Sequence, residues 1–249
     1  MGLYQNKSRW LIEHITLETR PNWPCPKCGI GELTFPKDWA KKELSAKSKS
    51  EDSDYLARYP DDQIDHFSGI LLCSNNRCKE SIATCGTAGY EGEYDNDNLH
   101  VNYVRCYTPK FFYPGLKIFQ IPFGVSKEVN NCIMSSFSHF WNDYSACVNS
   151  IRRSVEFLLD DLKVPEIAIL DQRINAFGKT NGPIAGNIKA IKWIGNAGSH
   201  KDIITKNDLI DMYILLEHCL NTLYPSNHEE DVKKIANEVN TKKGLRSKE

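Results

Sequence analysis

No stretch of this chain approaches the roughly 20 consecutive apolar residues of a membrane-spanning helix. The apolar positions near its start, Trp10, Leu11, Ile12, Ile15 and Leu17, are interrupted by Glu13 and His14. A helical span and a signal-peptide core are both excluded, which predicts a cytoplasmic protein. Excess charge is equally scarce: 31 Lys and Arg against 32 Asp and Glu leave a formal net charge of -1. No whole-molecule field recruits nucleic acid or an acidic membrane, so any such binding has to come from a local patch. Asn6 stands where a myristoylation signal needs Ser or Thr. No internal repeat is present, which excludes a solenoid.

What the chain does have is length and cysteine. Its 249 residues, 41% of them hydrophobic, exceed the needs of one small domain and predict two. Nine cysteines in a cytoplasmic chain point to metal ligation or free thiols rather than disulfides. Cys25-Pro26-Lys27-Cys28-Gly29 has the form of a zinc knuckle, in which a tight turn brings two thiolates together and Gly29 takes the backbone angles the turn needs. Cys73 and Cys78 supply a second, looser pair behind the apolar run Ile70-Leu71-Leu72. Two close pairs, each beside a strand, are how zinc ribbons assemble a tetrahedral four-thiolate site, so Cys25, Cys28, Cys73 and Cys78 are the expected ligands of one structural Zn²⁺. Cys85 is an alternative to Cys78 as the fourth. Cys106, Cys132, Cys147 and Cys219 sit among apolar residues and read as core.

Between the pairs, residues 37–65 carry lysines early and carboxylates late, the composition of a solvated helix or mobile loop, which Trp39 and Tyr55 would anchor to the body. Residues 67–121 are rich in β-formers with glycine punctuation, giving strands at 69–73, 81–86 and 101–107. Glu91 to Asp97 reads as a hydrated acidic loop or strand edge without calcium-loop spacing. Phe111 to Gly115 reads as a turn, and Pro122 ends the region.

Helices follow. Ser126 caps a helix carrying Ile133, Phe137, Phe140 and Trp141, and a second spans 143–162 with Arg152 and Glu156 as an i, i+4 pair beside its buried stripe. A third spans 166–177. Ile184, Ile188, Ile191 and Ile194 mark a fourth, which Gly195 and Gly198 are expected to stop, so that Asn196 and His200 fall on a turn. Thr205 and Asp208 form a capping box for a fifth helix, ended by Pro225. Residues 229–239 make a further short helix before a charged end. Lys189, Lys192, Trp193 and Asn196 share the face of the fourth helix opposite the isoleucines. Trp193 there is expected to pack against another element, with a lysine-flanked stacking surface as the alternative. The fold class is therefore α+β: a zinc-ribbon-like β module over 1–121 with a charged insertion, an antiparallel helical bundle over 122–225, and a tail over 226–249.

The run Ile191-Lys192-Trp193-Ile194-Gly195-Asn196-Ala197-Gly198-Ser199-His200, with Tyr107 to Lys110 and Ile151 to Leu159 upstream, resembles domain-of-unknown-function family 4145, a bacterial family placed in the HEPN superfamily. The resemblance extends from about Trp23 to Tyr224. It implies a HEPN-like bundle, often dimeric, and in many relatives a metal-independent ribonuclease whose motif is an Arg, four to six residues, then a His. Here the His falls on His200 and the polar residue after the Arg on Asn196, but Gly195 stands where the Arg belongs. Lys192, Arg152 and Glu156 are possible helpers. The function implied is an accessory protein of a bacterial nucleic-acid-processing or anti-phage defence system. Binding would run through the zinc module and the Lys189, Lys192 and Trp193 surface, with a homodimer formed through the bundle. A ribonuclease toxin using His200 and a structural protein adaptor are the alternatives.

Overall fold

The computed structural model describes residues 2–16, 18–95, 100–200, 203–225 and 228–243, with the side chains at 94, 95, 100, 197–200 and 228–231 left out. Two short helical turns, α1 (Leu3–Asn6) and α2 (Ser8–Leu11), precede a five-stranded antiparallel sheet of β1 (Leu33–Thr34), β2 (Ala40–Leu44), β3 (Asp65–Cys73), β4 (Ser81–Asp95) and β5 (His100–Tyr113). Burial alternates along β3, where Asp65, Phe67, Leu71 and Cys73 turn inward, as a strand with one covered face requires. β1 and β2 lie end to end along one edge of β3, β4 along the other, and β5 beyond β4. β3 stops pairing at Ala88, so β4 and β5 continue alone to Asp95 and His100 as a two-stranded arm. The β4–β5 register shifts at Cys85/Gly86, with Lys110 left over on β5. Gly86 is obligatory there because a Cβ would collide with the Thr108 carbonyl oxygen. Buried Asp65 is satisfied by Arg105, which stacks 4.5 Å over Tyr90, and by Gln63 at 3.1 Å.

The strands are longer than expected because backbone hydrogen bonds form whatever the side chains: they extend β4 through the acidic Glu91 to Asp95 and β5 through the Phe111 to Tyr113 stretch expected to turn. The charged insertion is likewise corrected. It forms edge strand β2, then α3 (Ala46–Ser50) and α4 (Ser53–Arg58), before re-entering the sheet. Trp39 anchors it against Phe35, Phe67 and Tyr107 at 5.0–5.6 Å. Tyr55 does not: its ring meets Tyr59 and its hydroxyl donates to Asp62, both within the insertion, and it stays exposed.

The helical half contains α5 (Lys127–His139), α6 (Tyr144–Asp161), α7 (Leu170–Gly178), α8 (Gly182–His200), α9 (Lys206–Leu223) and α10 (His228–Lys242). Ser126 accepts from Val129 N and Asp143 from Ala146 N, and Thr205 with Asp208 closes the expected capping box. α7 begins at Leu170, later than expected. Its buried Arg173 donates to the carbonyls of Glu156 and Val164 and to the Asp160 carboxylate, tying α7 to α6 and to the loop behind it. Tyr213, wholly buried, donates to Ser136 and touches Cys147.

α8 overturns the expected turn at Gly195. The helix runs unbroken from Gly182 to His200, so Asn196 lies on a helix and not in a loop. A Cβ on Gly195 would stand 2.7 Å from Arg152 Cδ and 3.3 Å from Val148 Cγ1, so the glycine permits close approach to α6 instead of ending α8. α10 is also longer than the sequence pattern suggested.

Sheet and bundle meet in an aromatic junction. Trp141, just past α5, lies 5.1 Å from Trp23, 4.7 Å from Phe112 and 6.3 Å from Trp10. The buried side chains of both halves form one cluster, from Leu3 to Leu220. Lys206 of α9 ties the N-terminal segment down: its Nζ donates to the Ile12 carbonyl at 2.8 Å and lies 5.1 Å from the Trp141 ring. Burial pushes Lys206 down from 10.5 to about 8. Between those values the unfolded chain holds a proton the folded chain has released, so this lysine's contribution to stability rises with pH. The stability of the wild type relative to Lys206→Met, measured by urea denaturation, should therefore rise from pH 8 to pH 10; a flat or falling difference would place the ammonium in water.

Candidate metal centre and helical face

The first knuckle is built by backbone. Pro24 pairs with Glu32, Cys25 N donates to Gly31 O at 2.7 Å, and Gly29, at φ 65°, returns its N–H to Cys25 O. The second starts where β3 ends at Cys73. Asn75 O accepts from Cys78 N and Lys79 N, and Lys79 takes φ 51° to close the turn. The pairing of β1 with β3 lays these loops face to face.

The sulfurs of Cys25, Cys28, Cys73 and Cys78 all lie within 4.8 Å of one another. Cys25 Sγ stands 3.8 Å from Cys78 Sγ, and Cys28 Sγ stands 3.6 Å from Cys73 Sγ. A regular tetrahedron with metal–sulfur bonds of about 2.3 Å has edges of about 3.8 Å, so these separations suit one thiolate-bound ion. Gly31 N and Asn75 N donate to Cys28 and Cys73 Sγ, each at 3.4 Å, and Asn75 Nδ2 reaches Cys28 at 3.8 Å. Such donors support the ligands from outside. The N–H groups of Gly31 and Ile30 lower the Cys28 thiol to about 6, whereas burial pushes Cys73 up to about 12. Four thiolates at this density repel one another, and a dication's charge is what lets all four ionise. Lys27 and Glu80 pair at 2.8 Å across the two loops, each favouring the other's charged form.

Cys85 lies exposed on β4, facing away from the cluster because its neighbours Ile82 and Thr84 take the buried side. The fourth position belongs to Cys78. Cys106, Cys147 and Cys219 are buried, and Cys132 is half-buried on α5. Sequence reasoning missed Gly31 and Asn75. A Cβ at Gly31 would lie 2.6 Å from Cys73 Sγ, so a glycine two residues after Gly29 was the available signal.

The helical face is less of a site than expected. Lys192 donates to Asp171 at 2.7 Å, holding that carboxyl below its ordinary value, and lies 4.2 Å from the Trp193 ring. Lys189 donates to Asn175 at 3.2 Å. Their charges are largely spent on α7. Trp193 does not pack away: it is 57% exposed, because the isoleucine stripe takes the whole buried side of α8. Asn196 is half-buried, and the His200 side chain lies outside the described residues. Arg152 and Glu156 do not pair; Arg152 instead lies along Gly195. Among the described residues no helix is long and apolar enough to cross a membrane.

Residues 13–112 match the family model of a domain of unknown function, DUF8608, and residues 135–246 match that of a second, DUF4145. The chain is thus similar to two families of unknown function, one over the sheet and one over the bundle. Likeness to DUF4145 does not reach back to Trp23, as the resemblance had implied; it starts within α5 and continues past α10. No curated protein and no solved structure matches the chain. Replacing Cys78 by Ser should remove bound metal in elemental analysis, and Cys85→Ser should leave it unchanged. The opposite pattern would refute the ligand set.

Proposed function

We propose that this chain is a non-catalytic accessory protein of a bacterial nucleic-acid-processing or anti-phage defence system, with a zinc-stabilised β module fused to a HEPN-like bundle that dimerises. The observation behind the non-catalytic part of this reading is the closed four-cysteine cluster: every position of a tetrahedral ion is filled by protein, which leaves none for a substrate or a reactive water. Such an ion stabilises and does not react. Zn²⁺ is the ion the donor set favours, since soft thiolates in a tetrahedral array suit it better than Mg²⁺ or Ca²⁺. The bundle lacks the motif Arg at Gly195, which removes the donor that would neutralise charge on a scissile phosphate. The charge near −1 and the spent lysines of α8 leave exposed Trp193 and the sheet module as the surfaces for a partner.

Purified protein should retain nucleic acid that a high-salt wash removes, read as a falling 260/280 absorbance ratio, because phosphate contacts release counterions. Nucleic-acid-free protein at low salt, with no shift of labelled single strands, would discard the reading in favour of a protein adaptor.

A second reading has one observation in its favour. The Arg152 stem lies along Gly195, so α6 brings a guanidinium to the helix turn from which the motif Arg is missing. In that reading the chain is a metal-independent ribonuclease with His200 as base, suited by an ordinary pKa of about 6.5. A single transition-state donor contributes about 3 to 4 kcal/mol. Metal-independent cleavage of single-stranded RNA, lost in folded His200→Ala and reduced at least a hundredfold in Arg152→Ala, would establish this reading; the accessory role expects no such cleavage.

A further inference from the structure

We propose that the outer face of the sheet is a binding groove for a medium-chain carboxylic acid, whose apolar chain lies across the strands and whose carboxylate meets Lys37 and Lys41. An antiparallel sheet with one face in water carries polar side chains on that face. β3 keeps this rule only near its start, where His66 and Ser68 point outward. Further along, Ile70 and Leu72 take the same side and stand exposed. The register carries the departure across the neighbouring strands. Ile70 pairs with Ala83 and Ala83 with Tyr113, while Ser68 pairs with Cys85 and Cys85 with Phe111. Ile70 is 46% exposed and Phe111 43%. The apolar positions are thus contiguous and not scattered singly, the arrangement that marks a binding surface.

Shape and charge select the occupant. Residues 36–39 and Lys41 wall one side of these positions, leaving a groove of about 620 Å³. That is within the roughly 300–1,000 Å³ of small-molecule sites. The floor is apolar, and charge gathers at one end. Lys41 pairs with Ser68, so its side chain stands on the outer face, at the head of the row Ser68, Cys85, Phe111. Neither Lys37 nor Lys41 has an ion pair among the described residues, and Asp38 beside them offsets only one of the two charges. The Ser68 hydroxyl adds a hydrogen-bond donor at the same end. From β2 to β5 the row spans three strand spacings of about 4.8 Å, so the floor is about 14 Å long. A cationic end with an apolar floor beyond it matches one carboxylate head on one hydrocarbon chain. A neutral lipid would leave the lysines unmatched, and a small polar anion would leave the floor bare. The inference goes beyond nucleic-acid binding and does not rest on it, and either can fail without the other.

Cys85, exposed on the groove floor, is the reporter. The test is the rate of its alkylation by iodoacetamide in the full chain, read by peptide mass spectrometry, with decanoate as the probe and decanol as its neutral counterpart. Saturating decanoate should slow the reaction at least fivefold. Calorimetry should give roughly tenfold tighter binding for decanoate than for decanol, the scale of two exposed charge contacts. Lys37→Ala/Lys41→Ala should remove that preference and leave decanol binding unchanged. Ile70→Glu, and independently Leu72→Glu, should abolish binding of both probes; the two side chains point to solvent, so the melting temperature should hold. No protection of Cys85 at millimolar decanoate overturns the proposal, and so does equal affinity for decanol in the wild type. Decanoate binding indifferent to both floor variants places the acid elsewhere and also overturns it. Shielding of Cys85 that grows with protein concentration in the absence of acid would seat a second copy on the groove in place of the acid.

Discussion

Trp141 is the side chain on which the two halves of this molecule depend. It sits past the end of α5, yet its ring meets Trp23 before the first cysteine knuckle, Phe112 on the last strand and Trp10 in α2. Each such aromatic contact contributes roughly 0.5–1.5 kcal/mol beyond the area it buries. The consequence is geometric as much as energetic. Trp23 stands two residues before Cys25, so the loop that carries the first two thiolates is placed by the junction, and the pairing of β1 with β3 brings up the other two. The cysteine cluster and the bundle are thus coupled through a few rings and one lysine, Lys206, and not merely strung along a chain.

That coupling bears on how the chain divides. The family matches fall on either side of a gap between 112 and 135, and the gap holds Leu116, Ile118 and Phe119, all buried. Phe119 packs on Phe137 and Tyr213, deep in the helices. The connection between sheet and bundle is therefore core in its own right. Loss of the cysteine cluster would be felt at Trp23 and from there at Trp141.

The helical half shows how one glycine can carry two opposite meanings. Within a periodic run it can end a helix, or it can let a neighbouring helix come close. At Gly195 the second holds, since the room a Cβ would need is taken by Arg152 and Val148 of α6. The same residue lets the Arg152 stem of α6 lie along α8. Surface charge on α8 is similarly redirected: Lys189 and Lys192 serve α7 through Asn175 and Asp171, which leaves Trp193 as the prominent exposed group of that face.

Local chemistry was legible in the sequence. The paired cysteines with Gly29, the Ser126 cap, the Thr205–Asp208 box and the isoleucine period of α8 each rest on residues within a few positions of one another, and each formed where its pattern stood. The β-rich half and the helical half also declared themselves by composition. Contacts between distant segments had no such mark. Cys78 over Cys85 was decided by which face of β4 turns inward, the run of α8 past Gly195 by the position of α6, and the exposure of Trp193 by the absence of any element packed on the side of α8 opposite its isoleucines among the described residues. Arg173 reaching from α7 to Glu156, Asp160 and Val164, and Asn75 donating to Cys28, belong to the same class. The physical reason is common to all of them. A turn, a cap or a helical period is a property of a few adjacent residues, whereas a space, a partner or a buried face exists only after separate elements have packed.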